Sequence, residues 1–166
     1  MTAPQIIFLL SAAVMIVASL VVVTTRNLVH AALALIVSLF TVAIVFVLLE
    51  AGFLAAVQVV LYIGAIAILI IFAIMLTRRV MQDTGPQTNQ QWWLGGLIAA
   101  VLFGALMFIL PTVVYPVADT AVPENSLQTL GFALVDMNQY ALPFEVSSIL
   151  LLVALIGSIA VAGDRK

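Results

Sequence analysis

The chain has 166 residues, 66% of them apolar, with five basic and seven acidic side chains and a formal net charge of −2. A soluble domain is nearer half apolar and a quarter charged. One small core could not hide so much apolar surface, whereas a bilayer accepts an apolar exterior. The small net charge gives no ground for a nucleic-acid or strongly acidic partner. The absence of cysteine excludes disulfides, thiolate-bound zinc and cysteine-bound iron–sulfur clusters.

Apolar runs at about 3–23, 28–49, 53–77, 92–115 and 143–162 each reach the roughly 20 residues a helix needs to cross the hydrocarbon. The expected fold is therefore an all-α integral membrane protein of five transmembrane helices. Residues 1–166 form a single membrane domain in this reading, with an outer loop at 116–142. The first run has no Lys or Arg before it, so the charged n-region of a signal peptide is missing, and it reads as a retained helix. The break at 24–27 is short and predicts an antiparallel hairpin; the break Glu50-Ala51-Gly52 is shorter still.

In the second run His30 has no second histidine beside it, which argues against a metal or haem site. Ser38 and Thr41 are expected to bond carbonyls of their own helix. Glu50 ends this run. An ionisable residue inside the membrane is a functional hypothesis, but at a span boundary a carboxylate also reaches headgroups and water. Glu50 is thus either an interfacial residue or a proton carrier.

The third run contains Gln58, Tyr62 and Gly64. Gln58 and Tyr62 are four apart and would share one face of an α-helix. They act either as interhelical hydrogen-bond glue or as the lining of a hydrated path. Gly64 followed by Ala65 lowers local helix stability and lets a neighbour pack closely, a setting that suits a π-bulge. In the fourth run Gly96, Ala100 and Gly104 form a small-residue stripe, as do Ala154, Ser158 and Ala162 in the fifth; such stripes favour close helix packing. Glu145 follows Pro143 and is expected in the first turn of the fifth helix, where the dipole favours a carboxylate.

With the N-terminus outside, all five basic residues (Arg26, Arg78, Arg79, Arg165 and Lys166) fall inside, as the positive-inside rule requires. The outer loop then holds Asp119, Glu124 and Asp136 and no basic residue. Trp92, Trp93, Tyr115 and Tyr140 sit at the expected interfaces, as an aromatic belt requires. There is no phosphate-binding glycine loop, no hydrolytic triad, no mid-span Lys or Asp and no convincing internal repeat. These absences disfavour a self-contained pump or an inverted-repeat transporter.

The stretch Asn27-Leu28-Val29-His30-Ala31-Ala32-Leu33, the run Phe53-Leu54-Ala55-Ala56-Val57-Gln58-Val59-Val60-Leu61-Tyr62-Ile63-Gly64-Ala65-Ile66 and the run Ile70 to Leu76 resemble the subunit J family of proton-pumping NADH-quinone oxidoreductase, respiratory complex I. The mitochondrial counterpart is subunit 6. Leu130-Gly131, Tyr140 to Ser148 and Leu150 to Gly157 extend the resemblance to the C-terminus. Two positions depart from the pattern. Leu28 stands where the family often has proline, and Gly52 stands where it often has an acid before Phe53-Leu54-Ala55; the acid here is Glu50.

The resemblance implies five helices with the N-terminus on the positive side, packed among subunits A, H and K and near the antiporter-like subunits. It implies that the third helix exchanges π-bulged and α-helical forms and gates a water chain coupling quinone chemistry to proton translocation. By that match Tyr62 and Gly64 form the gate, with Gln58 and Ala65 beside it. No cofactor is implied in this chain; NADH, FMN, iron–sulfur clusters and quinone belong elsewhere in the complex. The implied location is the cell inner (plasma) membrane, or a mitochondrial inner or thylakoid membrane. The rival reading is a subunit of a multisubunit sodium/proton antiporter, against which the Tyr62-Ile63-Gly64-Ala65 element weighs. A third is a passive scaffold that seals the membrane arm.

Overall fold

A computed structural model describes residues 2–77, 91–113 and 125–163. Helices α1 (Ala3–Thr24), α2 (Leu28–Leu48), α3 (Gly52–Leu76), α4 (Trp92–Thr112) and α6 (Ala141–Gly163) are each long and apolar enough to cross a membrane. A shorter helix, α5 (Ser126–Val135), lies between the last two. No strand occurs among the described residues. Most large apolar side chains are exposed, which only lipid or partner helices can tolerate. The chain is a membrane-embedded helical protein.

The helix ends follow from their sequences. Pro4 sits in the first turn of α1, where a missing N–H costs nothing, and Gln5 Oε1 accepts the Thr2 amide at 2.9 Å. The hairpin into α2 is set by Asn27. Its Oδ1 accepts the amides of Val29 at 3.0 Å and His30 at 3.4 Å, two donors that the helix start would leave unpaired. Leu28 is therefore the first helical residue, the position that suits proline.

The exit from α2 is tighter. The Ala51 amide donates to the Phe46 carbonyl at 2.9 Å and the Glu50 amide to the Val47 carbonyl at 3.0 Å. This is the Schellman closure, and it puts Glu50 at φ 59°, where glycine is the usual residue.

The chain separates into two compact units, residues 1–118 and 119–166. In the first, α1 packs on α2 and α2 on α3. The most buried apolar residues are the alanines Ala18, Ala32, Ala43, Ala55 and Ala67, so the helices approach where side chains are smallest. Thr41 Oγ1 donates to the Ser38 carbonyl at 2.6 Å, the expected local bond. Ser38 Oγ does not bond its own helix: it meets Ser19 Oγ of α1 at 3.1 Å, a cross-helix pair. Every described residue of α4 is exposed, and the Cβ positions of Gly96 and Gly104 face open space.

In the second unit α5 packs on α6, within the stretch read from sequence as an outer loop. Asp136 turns the chain: its carboxylate accepts the Asn138 amide at 2.9 Å and Gln139 Nε2 at 3.1 Å, and the Tyr140 amide returns to the Ala133 carbonyl at 3.0 Å. α6 begins at Ala141, two residues before Pro143. Proline is tolerated there because the first amides of a helix have no intrahelical partner. Glu145 therefore lies beyond the first turn, and the expected first-turn dipole role is corrected. Arg78, Arg79, Tyr115, Asp119, Glu124, Arg165 and Lys166 lie outside the described residues, so the structure leaves the inside–outside assignment to sequence.

Candidate functional site

The third helix is not uniformly wound. Gly52–Val57 and Ile68–Leu76 are α-helical, and Gln58–Ala67 between them is a π-helix. At its start the Gln58 amide is shared between the carbonyls of Leu54 and Ala55; at its end the Ile68 amide donates to the Ala65 carbonyl. Residues in a π segment pair with the carbonyl five back, so each turn holds about one more residue than an α turn.

This winding corrects the expected shared face of Gln58 and Tyr62. Gln58 is 6% exposed and Tyr62 is 46% exposed. The face of α3 turned to α2 carries Ala55 and Gln58, then Ile63, which is half-buried, then Ala67, only 1% exposed. The steps from Gln58 are five and nine residues, where an α-helix would use four and seven. Those α positions are Tyr62 and Ala65, and both are exposed. An α-wound α3 held at Gln58 would turn Tyr62 and Ala65 toward α2 and carry Ile63 and Ala67 away.

Gln58 is held across the helix boundary. Its Nε2 donates to the Leu39 carbonyl of α2 at 3.3 Å, which meets the demand of a buried amide. Gly64 lies in the π segment, and a Cβ built there would stand 3.5 Å from the Val59 carbonyl, an ordinary contact. Alanine would fit; the γ-methyls of a β-branched residue would crowd the i−5 carbonyl.

Glu50 stands apart from this group, exposed in the turn before α3. A left-handed conformation costs a non-glycine residue about 1–2 kcal/mol, and a carboxylate at a helix C-terminus opposes the dipole. Thus Gln58, Tyr62, Gly64 and Ala65 share the π segment, while Glu50 belongs to its approach.

The match to known proteins decides the family. The family model for NADH-ubiquinone/plastoquinone oxidoreductase chain 6 matches residues 18–161. The chain belongs to that family. It is 38% identical over 161 residues to F(420)H(2) dehydrogenase subunit J of Methanosarcina mazei, covering 94% of this chain and 89% of that one. It is 35% identical to NADH-quinone oxidoreductase subunit J of Rhodobacter capsulatus, over 92% of this chain and 78% of the relative. The chloroplastic NAD(P)H-quinone oxidoreductase subunit 6 of Anthoceros angustus is 33% identical, over 92% and 80%. The aligned regions span nearly the whole chain, in keeping with a resemblance read from residues 27–76 and again from 130–157.

Proposed function

We propose that this chain is a membrane-arm subunit of a proton-pumping NADH-quinone oxidoreductase, and that α3 helps couple quinone reduction to proton translocation by changing winding. The observation that carries this reading is the π segment Gln58–Ala67, with Tyr62 exposed on one side and Ala67 buried on the other. Conversion to α rotates the residues beyond the bulge by about 100° for each residue taken up. The Tyr62 hydroxyl then enters or leaves a water path, while Gly64 gives the backbone freedom to convert. Ala65 and Gln58 flank the gate, and Glu50 marks the turn that precedes it.

No redox step is assigned to this chain. Its relatives' names cite NADH, NAD(P)H and F(420)H(2) as donors at similar identity, which supports a role in the membrane part that is indifferent to the donor. NADH, FMN, iron–sulfur clusters and quinone are assigned to other subunits. The proposed neighbours are subunits A, H and K and the antiporter-like subunits. The proposed orientation is N-terminus outside and C-terminus inside, in a bacterial inner membrane or its mitochondrial or thylakoid equivalent.

The test is protons pumped per electron in vesicles holding assembled complex with Tyr62→Phe or Gly64→Val. Both should lower pumping per electron while the iron–sulfur electron path stays intact. Normal pumping and turnover in both variants would reduce α3 to packing material and leave the scaffold reading.

A further inference from the structure

The start of the π segment is tied to α2 by hydrogen bonds, whereas the part of α3 beyond it meets α2 through apolar side chains. Two ties hold the start of α3 to α2. The first is the closed turn, in which the amides of Glu50 and Ala51 bond back to Val47 and Phe46. It leaves only Leu49–Ala51 between the two helices. The second is the Gln58 bond to the Leu39 carbonyl, made by a side chain that is 6% exposed and stands at the first residue of the π segment. Beyond Gln58 the covered side chains of α3 are the apolar Ile63, Ala67, Ile71 and Ile74, which can slide because apolar contact is not directional.

A change of winding must rotate one end of a helix against the other. Whichever end is held more firmly stays, and the other turns. We infer that Gln58 is a positioning residue: its hydrogen bond to the Leu39 carbonyl fixes the N-terminal part of α3 on α2, so that a π-to-α conversion is delivered to Tyr62 and the residues after it. It is an anchor for the gate, not a proton-carrying member of the path. This inference rests on the coupling role proposed above. Without the bond, the turn of winding can be taken up by Ala55 and Gln58 rotating off α2, and Tyr62 stays where it is.

The anchor needs a donor at position 58, because the partner is a backbone carbonyl. Gln58→Leu keeps an apolar contact and removes the donor. Gln58→Glu keeps the length, and its carboxylic acid can donate to the Leu39 carbonyl only when protonated. Background titration around this site is sparse: along α1, α2 and α3 the titratable side chains are His30 and Tyr62, with Arg26 in the first turn and Glu50 in the second.

The experiment compares protons pumped per electron in vesicles holding assembled complex, with each variant scaled to the parent at the same pH. A neutral hydrogen bond of this kind shifts a two-state balance by about two- to tenfold. Gln58→Leu should therefore lower pumping per electron at every pH while quinone reduction continues. Gln58→Glu should approach the parent at acid pH and fall toward Gln58→Leu as pH rises. A merely structural role would give no such recovery. Parental pumping in Gln58→Leu overturns the anchor, as does a flat Gln58→Glu profile at the Gln58→Leu level; a Gln58→Glu carboxyl that burial keeps protonated pumps like the parent and supports the donor. If Gln58→Leu does not assemble, Gln58→Met, of similar length and also without a donor, takes its place. Failure of the coupling role itself reads differently: Tyr62→Phe and Gly64→Val would then also pump normally. Loss in those two with parental behaviour in both Gln58 variants refutes only the anchor.

Discussion

Leucine at position 67 or at position 65 should push α3 in opposite directions. Ala67 is 1% exposed and faces α2 in the π winding, nine residues beyond Gln58. Ala65, seven residues beyond Gln58 and exposed, takes the α2 side only if the segment is α-wound. Ala67→Leu forces three extra heavy atoms into a closed helix contact. Overpacking of this kind costs about 1–3 kcal/mol, enough to move a two-state balance by about fivefold to more than a hundredfold. Ala67→Leu therefore favours the α form. Ala65→Leu leaves the π form untouched and penalises the α form by a similar amount. In assembled complex, reconstruction by electron cryo-microscopy should find α3 straightened in Ala67→Leu and π-wound in Ala65→Leu. Pumping per electron should fall in both, since each holds one state. The same winding in both variants would refute the exchange of Ile63–Ala67 for Tyr62–Ala65.

Three further outcomes are expected. Glu50→Gly relieves the positive φ and removes a carboxylate from the α2 C-terminus. It should stabilise the chain by about 1–2 kcal/mol, seen as a higher midpoint temperature for release of this subunit from the complex; a lower midpoint would mean that the carboxylate has a partner. A reporter fused after Lys166 should be active on the cytoplasmic side, from the placement of all five basic residues on one side, and activity only outside would invert the topology. Expressed alone, the chain should aggregate in detergent, because α4 and its Gly96–Ala100–Gly104 stripe are wholly exposed; a monodisperse monomer would count against an obligate subunit.

The five spans were legible because length and hydropathy alone decide them, and the start of α2 at Leu28 was legible from the apolar run that begins there. α5 was missed because a search for spans passes over ten residues, although Leu127, Leu130 and Leu134 repeat at helical spacing. The cross-helix bond between Ser19 and Ser38 was not legible, since nothing in either serine names its partner. The candidate site was legible in part. Gly64-Ala65 marked a place where the backbone can deform, but a small residue permits a π turn without requiring one. The assumption of 3.6 residues per turn then put Tyr62 on the face of Gln58, and a single extra residue in the turn was enough to separate them. Within a π segment the angular difference from α winding grows residue by residue, so an α period misplaces Tyr62 and would misplace Ala67 further still.

The same arithmetic explains why such a segment can serve as a switch inside a bilayer. Within the hydrocarbon an unpaired backbone group costs several kcal/mol, which forbids most local rearrangements. Exchange of i−5 for i−4 pairing keeps the amides of Gln58–Ala67 partnered within the helix at both ends of the motion. The remaining difference is side-chain packing on α2: Ile63 and Ala67 in one winding, Tyr62 and Ala65 in the other. Each set pairs one bulky residue with one alanine at the close approach, and Tyr62 brings in addition a hydroxyl that needs a partner where it is covered. The proposed coupling role requires the balance between the two windings to lie within the roughly 1–3 kcal/mol that coupling between distant sites supplies. Replacing either alanine with a larger residue loads one winding and not the other, which is why positions 65 and 67, neither of them polar, should control the proposed gate as strongly as Tyr62 itself.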